Sequence, residues 1–221
     1  MDLDFFLRER TKFIRYFFET TSTPFGNIKT AIENEEPPYI PPYSEDDEPP
    51  FLVEWLAADT GQQTVCHACL SMLSASLKLY LDHWMGRFNQ DSDVFKVNFK
   101  NLGWFGGHMK VLENMDVDIS ESGANRDILE QVALVRNRIQ HPDHITSLNV
   151  TYSKSDLKKH PHPFFVDKEH YYQTEEEGEI SWLMPPPISA TREKVFEAIE
   201  NVESFCTWLE RIFMNRDVHN K

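Results

Sequence analysis

Near residue 140 the sequence reads Leu134-Val135-Arg136-Asn137-Arg138-Ile139-Gln140-His141-Pro142, and several of these side chains are suited to work on a phosphodiester. An imidazole changes charge near neutral pH, so His141 can take a proton from a hydroxyl or return one to a leaving oxygen. A guanidinium is permanently charged, so Arg136 can hold a phosphate and stabilise the charge that builds on its oxygens. Asn137 can hydrogen-bond the phosphate or orient the imidazole, and Arg138 adds a second guanidinium. The set calls for no metal and no cofactor. On a regular helix Arg136 and His141 are about 140° apart in projection. They share a site only if the helix loosens ahead of Pro142 or if two subunits bring their motifs together. The plain alternative is structural: Arg and His in a last helical turn interact favourably with the helix dipole and cap its carbonyls.

Arg136-Asn137 followed by His141 resembles the Arg-(four to six residues)-His signature of HEPN domains, in which a polar residue usually follows the arginine. The likeness covers the segment Arg136 to His141 as a motif and most of the chain as an ordering of helices. It implies a homodimer with the motifs facing one another across a two-fold axis. It assigns catalysis to Arg136, Asn137 and His141 and substrate binding to Arg138. The implied reaction is metal-independent RNA cleavage of a defence, toxin or RNA-processing type. In it the ribose 2′-hydroxyl attacks the adjacent phosphate, leaving a 2′,3′-cyclic phosphate and a 5′-hydroxyl. Its partners are an RNA substrate and an antitoxin or other protein. The family also contains non-catalytic helical modules that dimerise or bind a nucleotide or a protein, and that is the second expectation.

Other reactive residue types form weaker patterns. Cys66-His67-Ala68-Cys69 has metal-ligand chemistry, but it lies among Val65, Leu70, Met72 and Leu73 with no second cysteine pair, so it reads as core. His141, Asp143 and His144, with His160 or His162, offer ligand types, but Pro142, Pro161 and Pro163 favour turns there. Gly103-Trp104-Phe105-Gly106-Gly107-His108 lacks the Lys-Ser/Thr of a P-loop. It reads as a tight lead-in to a helix, with Trp104 or Phe105 free to stack on a base.

The elements that must position the motif are helical. Residues 2–20 are apolar at near-helical period, and Thr20 to Gly26 predicts a break, with a short continuation through Ile28 and Ile32. Six prolines and six acids between Glu35 and Pro50 predict an extended linker. Residues 51–85 contain no proline and predict one long helix, with Val53, Leu56, Val65, Cys69, Met72, Ser76, Leu79 and Trp84 near one face. A shorter helix is expected from about Gly106 to Met115. Ile128, Val132, Val135 and Ile139 form a clean stripe for the helix carrying the motif, over 124–141. Residues 146–188 hold short β-prone runs and predict a small β insertion. A final helix over 190–214 carries Val195, Ile199, Val202, Cys206, Leu209 and Phe213. The expected fold is a mainly α, antiparallel helical bundle, one HEPN-like domain over 1–221, with the linker 35–50 and the β-prone insertion before the last helix.

Composition narrows the function classes. The chain has 221 residues and a formal net charge of −14, which opposes broad non-specific duplex binding. Any nucleic acid must meet a local basic site. Three cysteines argue against a disulfide framework and, with no long uninterrupted apolar run and no basic leader at the start, point to a cytoplasmic protein without a membrane partner.

Overall fold

In the computed structural model, residues 2–43, 49–88, 91–141, 149–167, 175–176, 179–180 and 185–219 are described. They are mainly helical: α1 Leu3–Glu33, α2 Leu52–Met85, α3 Phe99–Asn114, α4 Arg126–Gln140, α5 Lys154–Lys159 and α6 Arg192–His219. Two-residue strands β1 (Glu175–Glu176) and β2 (Glu179–Ile180) pair antiparallel.

Cross-helix bonds fix the directions. Arg10 to Ser76 and Lys29 to Asp59 run α2 antiparallel to α1. Leu3 to Glu210 and Thr11 to Glu203 run α6 antiparallel to α1 as well. Asn125 N–H donates to Asn201, while Gln131, further along α4, meets Tyr152 and Phe164, which lie beside the start of α6. So α4 is antiparallel to α6. The result is a four-helix bundle in which α1 and α4 stand on one diagonal and α2 and α6 on the other, because α1 and α4 each pack on both α2 and α6. A single buried cluster runs through it, from Leu7 and Phe18 of α1 through Leu73 and Trp84 of α2 and Val132 of α4 to Phe205 and Phe213 of α6.

The motif helix behaves as its stripe requires. Ile128, Val132 and Val135 are buried, with Ile139 packed at the margin of the core. Asn125 caps its start by accepting from the Asp127 N–H. The predicted helices over 51–85 and 190–214 form as well, the second extended to His219.

Three expectations are corrected. The predicted break at Thr20–Gly26 does not occur, and α1 runs through Pro24. The hydroxyls of Thr20, Thr21 and Thr23 donate to carbonyls three or four residues back, so this run is satisfied within a helix. Phe25 then fills the notch left by Gly61, where an added Cβ would fall 2.4 Å from the ring. The stripe assigned to α2 holds only in part: Val65, Cys69, Ser76 and Trp84 are buried, but Val53, Leu56 and Leu79 are exposed, and Leu70, Leu73, Leu77 and Leu81, outside it, are fully buried. The third helix begins at Phe99 rather than Gly106, with a break at Gly103, whose φ of 70° suits glycine.

Within 146–188, the described stretch 149–167 contains a helix between two of the runs expected to be β-prone, 148–152 and 164–166, and no paired strand. A capping box between Ser153 and Asp156 starts α5, and Tyr152, Leu157, Phe165 and Val166 are buried against the bundle. Thr151 makes an isolated bridge to Pro187. Much of the remaining predicted insertion, including Ser181-Trp182-Leu183, lies outside the described residues.

Candidate functional site

The C-terminal end of α4 forms one wall of a cleft of about 620 Å³, whose other walls are the Leu102–Gly106 turn of α3 and the helix α5. Pro142 explains why α4 stops where it does. A residue preceding proline is pushed out of the α region, and His141 has φ −130° and ψ 65°. Its N–H still closes on the Asn137 carbonyl at 3.1 Å, so the imidazole is exposed at the point where the helix lets go.

Asn137, Arg138 and His141 line this cleft together, with Trp104 opposite them. Arg136 does not line it. About 100° per residue separates its direction from that of Asn137, and it reaches the site through a bond from its Nη1 to Asn137 Oδ1 at 3.0 Å. The four motif residues are therefore split: three face the cleft, and the fourth stands at its edge.

The floor of the cleft carries a chain of bonds that no sequence pattern revealed, although His160 stands among the ligand types offered there. His160 is buried, and its Nδ1 donates to Asp127 Oδ1 at 2.5 Å. Asp127 Oδ2 accepts from Gln131 Nε2, and the Gln131 carbonyl oxygen in turn accepts from the Phe164 N–H at 2.7 Å and the Tyr152 hydroxyl at 3.3 Å. This chain anchors α5 and the segment after it to α4. His160 Nε2 makes no hydrogen bond and faces Glu130 Oε2 at 4.0 Å. The only sequence signal for this network was the count of polar residues on a helix otherwise striped for burial.

The cleft is also electrostatically occupied. Arg138 is ion-paired with Asp156, and Lys159 with Glu130. Each cation thus has a carboxylate beside it.

The other sequence candidates separate from the site. Cys66 and Cys69 are buried on α2, and burial pushes both thiols up to about 12. Cys66 donates to the Ala190 carbonyl, and His67 Nε2 donates to the Ile188 carbonyl, so the Cys-His-Ala-Cys segment is core. Asp143 and His144 lie outside the described residues, His162 is exposed, and His160 is bonded to Asp127. Among the described residues no cluster of three His, Cys, Asp or Glu side chains has metal-binding geometry. One helix, α2, is long and apolar enough to cross a membrane, but 56% of its most apolar window is buried inside the bundle.

Comparisons with protein-family models, curated proteins and solved structures found no match to this chain.

Proposed function

We propose that the protein is a HEPN-like, metal-independent endoribonuclease acting as a homodimer in the cytoplasm. The reading rests on one observation: His141 leaves the helix exposed at a cleft that Asn137 and Arg138 also line, with Arg136 hydrogen-bonded to Asn137. Three buried free thiols agree with a reducing compartment.

In this reaction His141 takes the proton from the ribose 2′-hydroxyl as its oxygen attacks phosphorus. The bond to the 5′-oxygen breaks, and that oxygen receives a proton from the imidazole of the second copy. Arg136 balances the charge on the non-bridging oxygens, with Asn137 fixing its direction. A second copy placed with its α4 end across a two-fold axis brings another guanidinium to the same phosphate and offsets the acidic field of the chain. Arg138 holds the flanking substrate, and Trp104 offers a ring for a base to stack on. An antitoxin or another protein partner belongs to the same reading.

The test is incubation of the purified protein with mixed single-stranded and folded RNA in the presence of chelator, followed by end-group analysis. His141→Ala and Arg136→Ala should each slow cleavage by at least about 100-fold, and RNA with a 2′-deoxy sugar at the cleaved position should be inert. Activity that survives in both variants, or that needs added divalent metal, rules the mechanism out. A non-catalytic module for dimerisation, nucleotide or protein binding is the second reading. It is favoured by the pairing of Arg138 and Lys159 with carboxylates, and total absence of cleavage would select it.

A further inference from the structure

The outer face of α1 exposes aromatic rings that a soluble helix ordinarily buries. Phe5, Phe6, Phe13 and Tyr16 are 53–65% exposed. At about 100° per residue they fall within a sector of about 100°, on the side opposite the buried Leu7, Thr11, Ile14 and Phe18. Exposed single apolar residues are common, but four large rings on one face, two at either end of a charged centre, are not scattered, and such a concentration of exposed apolar area marks an interaction surface.

The order of residues on this face says what covers it. Phe5 and Tyr16 are equidistant from the point midway between Arg10 and Thr11, and so are Glu9 and Lys12. All four lie within a sector of about 60°. Phe6 and Phe13 are centred one residue earlier. The face is therefore its own complement: aromatic, acid, base, aromatic in one direction stands against aromatic, base, acid, aromatic in the other. Such a sequence is self-complementary under a two-fold rotation, which a surface for an unrelated partner has no reason to be.

We propose that the outer face of α1 docks a second copy of this chain, α1 against α1 antiparallel, with the two-fold axis at Arg10–Thr11. Phe5 then meets the partner's Tyr16, Glu9 meets the partner's Lys12, and Phe6 approaches the partner's Phe13. Glu9 and Lys12 are well exposed and only loosely paired within the chain, at 3.6 Å, so both remain able to pair outward. Area favours the same occupant. Four aromatic side chains about half exposed offer about 400 Å² per copy, half of the ~800 Å² per partner of a standard interface, before the residues between them are counted.

This contact is distinct from the one in the nuclease reading. Because α1 and α4 occupy opposite corners of the bundle, pairing through α1 sets the two motif clefts facing away from each other. A chain that used both contacts would leave an unpaired cleft at each end of every dimer and so assemble beyond the dimer, with α1 and α4 contacts alternating.

Sedimentation of the full chain at micromolar concentration tests the proposal. Glu9→Lys and Lys12→Glu should each weaken self-association at least about tenfold, by placing like charges opposite one another. An equimolar mixture of the two variants should restore it, since each supplies the charge the other lacks. The double substitution Phe6→Asp with Phe13→Asp should abolish the contact, and because these positions are solvent-facing, the circular dichroism and melting temperature should stay at wild-type values. A wild type that is monomeric up to about 100 µM overturns the proposal, as does a dimer whose mass is unchanged in all of these variants. The latter result leaves pairing through α4 standing, whereas an assembly larger than a dimer that falls to a dimer in these variants supports both contacts. The readout is mass, so loss of RNA cleavage in the separate assay neither supports nor sinks it.

Discussion

Arg138 Nε and Nη2 both reach the same oxygen of Asp156, Oδ2, at 2.7 Å. That oxygen also accepts the Ser153 N–H at 2.8 Å, so one carboxylate caps α5 and holds the guanidinium at the end of α4. Removing it acts on two links at once. Asp156→Ala should destabilise the fold by about 1–2 kcal/mol through the lost cap and the lost charged bond, and it should tighten RNA binding by freeing Arg138. Thermal melting and RNA titration of one variant measure both. If the melting temperature falls while RNA affinity stays level, Arg138 is a structural arginine rather than a substrate ligand.

Asn137 stands between the edge of the cleft and its interior, bonded to Arg136 and facing the same space as His141. A residue that orients a guanidinium without touching the reacting atoms should cost less than the groups that do. Asn137→Ala is expected to lower kcat by about tenfold with KM little changed. A loss as large as that of His141→Ala would instead place Asn137 on the phosphate itself.

Glu210 is buried and accepts from three donors: the Leu3 N–H at 3.2 Å, the Tyr80 hydroxyl at 2.8 Å and the Trp84 indole at 3.1 Å. Burial, with Glu210 alongside, pushes the Tyr80 hydroxyl far above its ordinary range, so it stays a donor. Glu210→Ala strands the Leu3 and Trp84 donors, leaving the Tyr80 hydroxyl the Cys206 carbonyl at 2.7 Å, and should cost about 3–5 kcal/mol in urea unfolding. Glu210→Gln keeps a carbonyl acceptor and should cost less. Equal losses in the two variants would show that shape, not hydrogen bonding, is what Glu210 supplies.

The His67 imidazole is lowered from its usual value by burial, which outweighs the opposing effect of its bond to the Ile188 carbonyl. A histidine depressed in the folded state takes up its proton more readily when the chain unfolds. Its contribution to stability is therefore complete above about pH 6.5 and is lost as pH falls below that. His67→Gln, which can still donate to Ile188, should flatten the fall in melting temperature between pH 7.5 and pH 5. An unchanged pH profile would assign that acid sensitivity to other groups.

The helices most legible in the sequence are those with a single apolar stripe. Ile128, Val132 and Val135 on α4, and Val195 through Phe213 on α6, face the core as their spacing demands. Helix α2 was legible as a helix but only partly in phase, with Val65, Cys69 and Trp84 buried and Val53, Leu56 and Leu79 exposed, because it is apolar on most faces and spacing then carries little direction. Pro24 and the threonines misled for a different reason. Turn-formers favour a turn when their polar groups find no partners in a helix, and here the threonine hydroxyls donate back into α1 while Phe25 packs into the notch at Gly61. Of the site, Asn137, Arg138 and His141 were found by type and spacing. The His160–Asp127–Gln131 chain was invisible, since it joins residues about thirty apart through a connection whose path no local pattern encodes.

The bond from the Leu3 N–H to Glu210 spans nearly the whole chain, and it sets an order of events during translation. The first helix can lie along α2 as soon as both leave the ribosome, but Leu3, Tyr80 and Trp84 keep unanswered donors until the last helix arrives. Domains assemble as their residues emerge, at about 5–20 per second, so the nascent chain spends seconds with α4 made and the bundle open. The motif helix α4 is therefore synthesised before one of the two helices that cover its apolar stripe, and that stripe stays partly open until α6 emerges and closes the bundle.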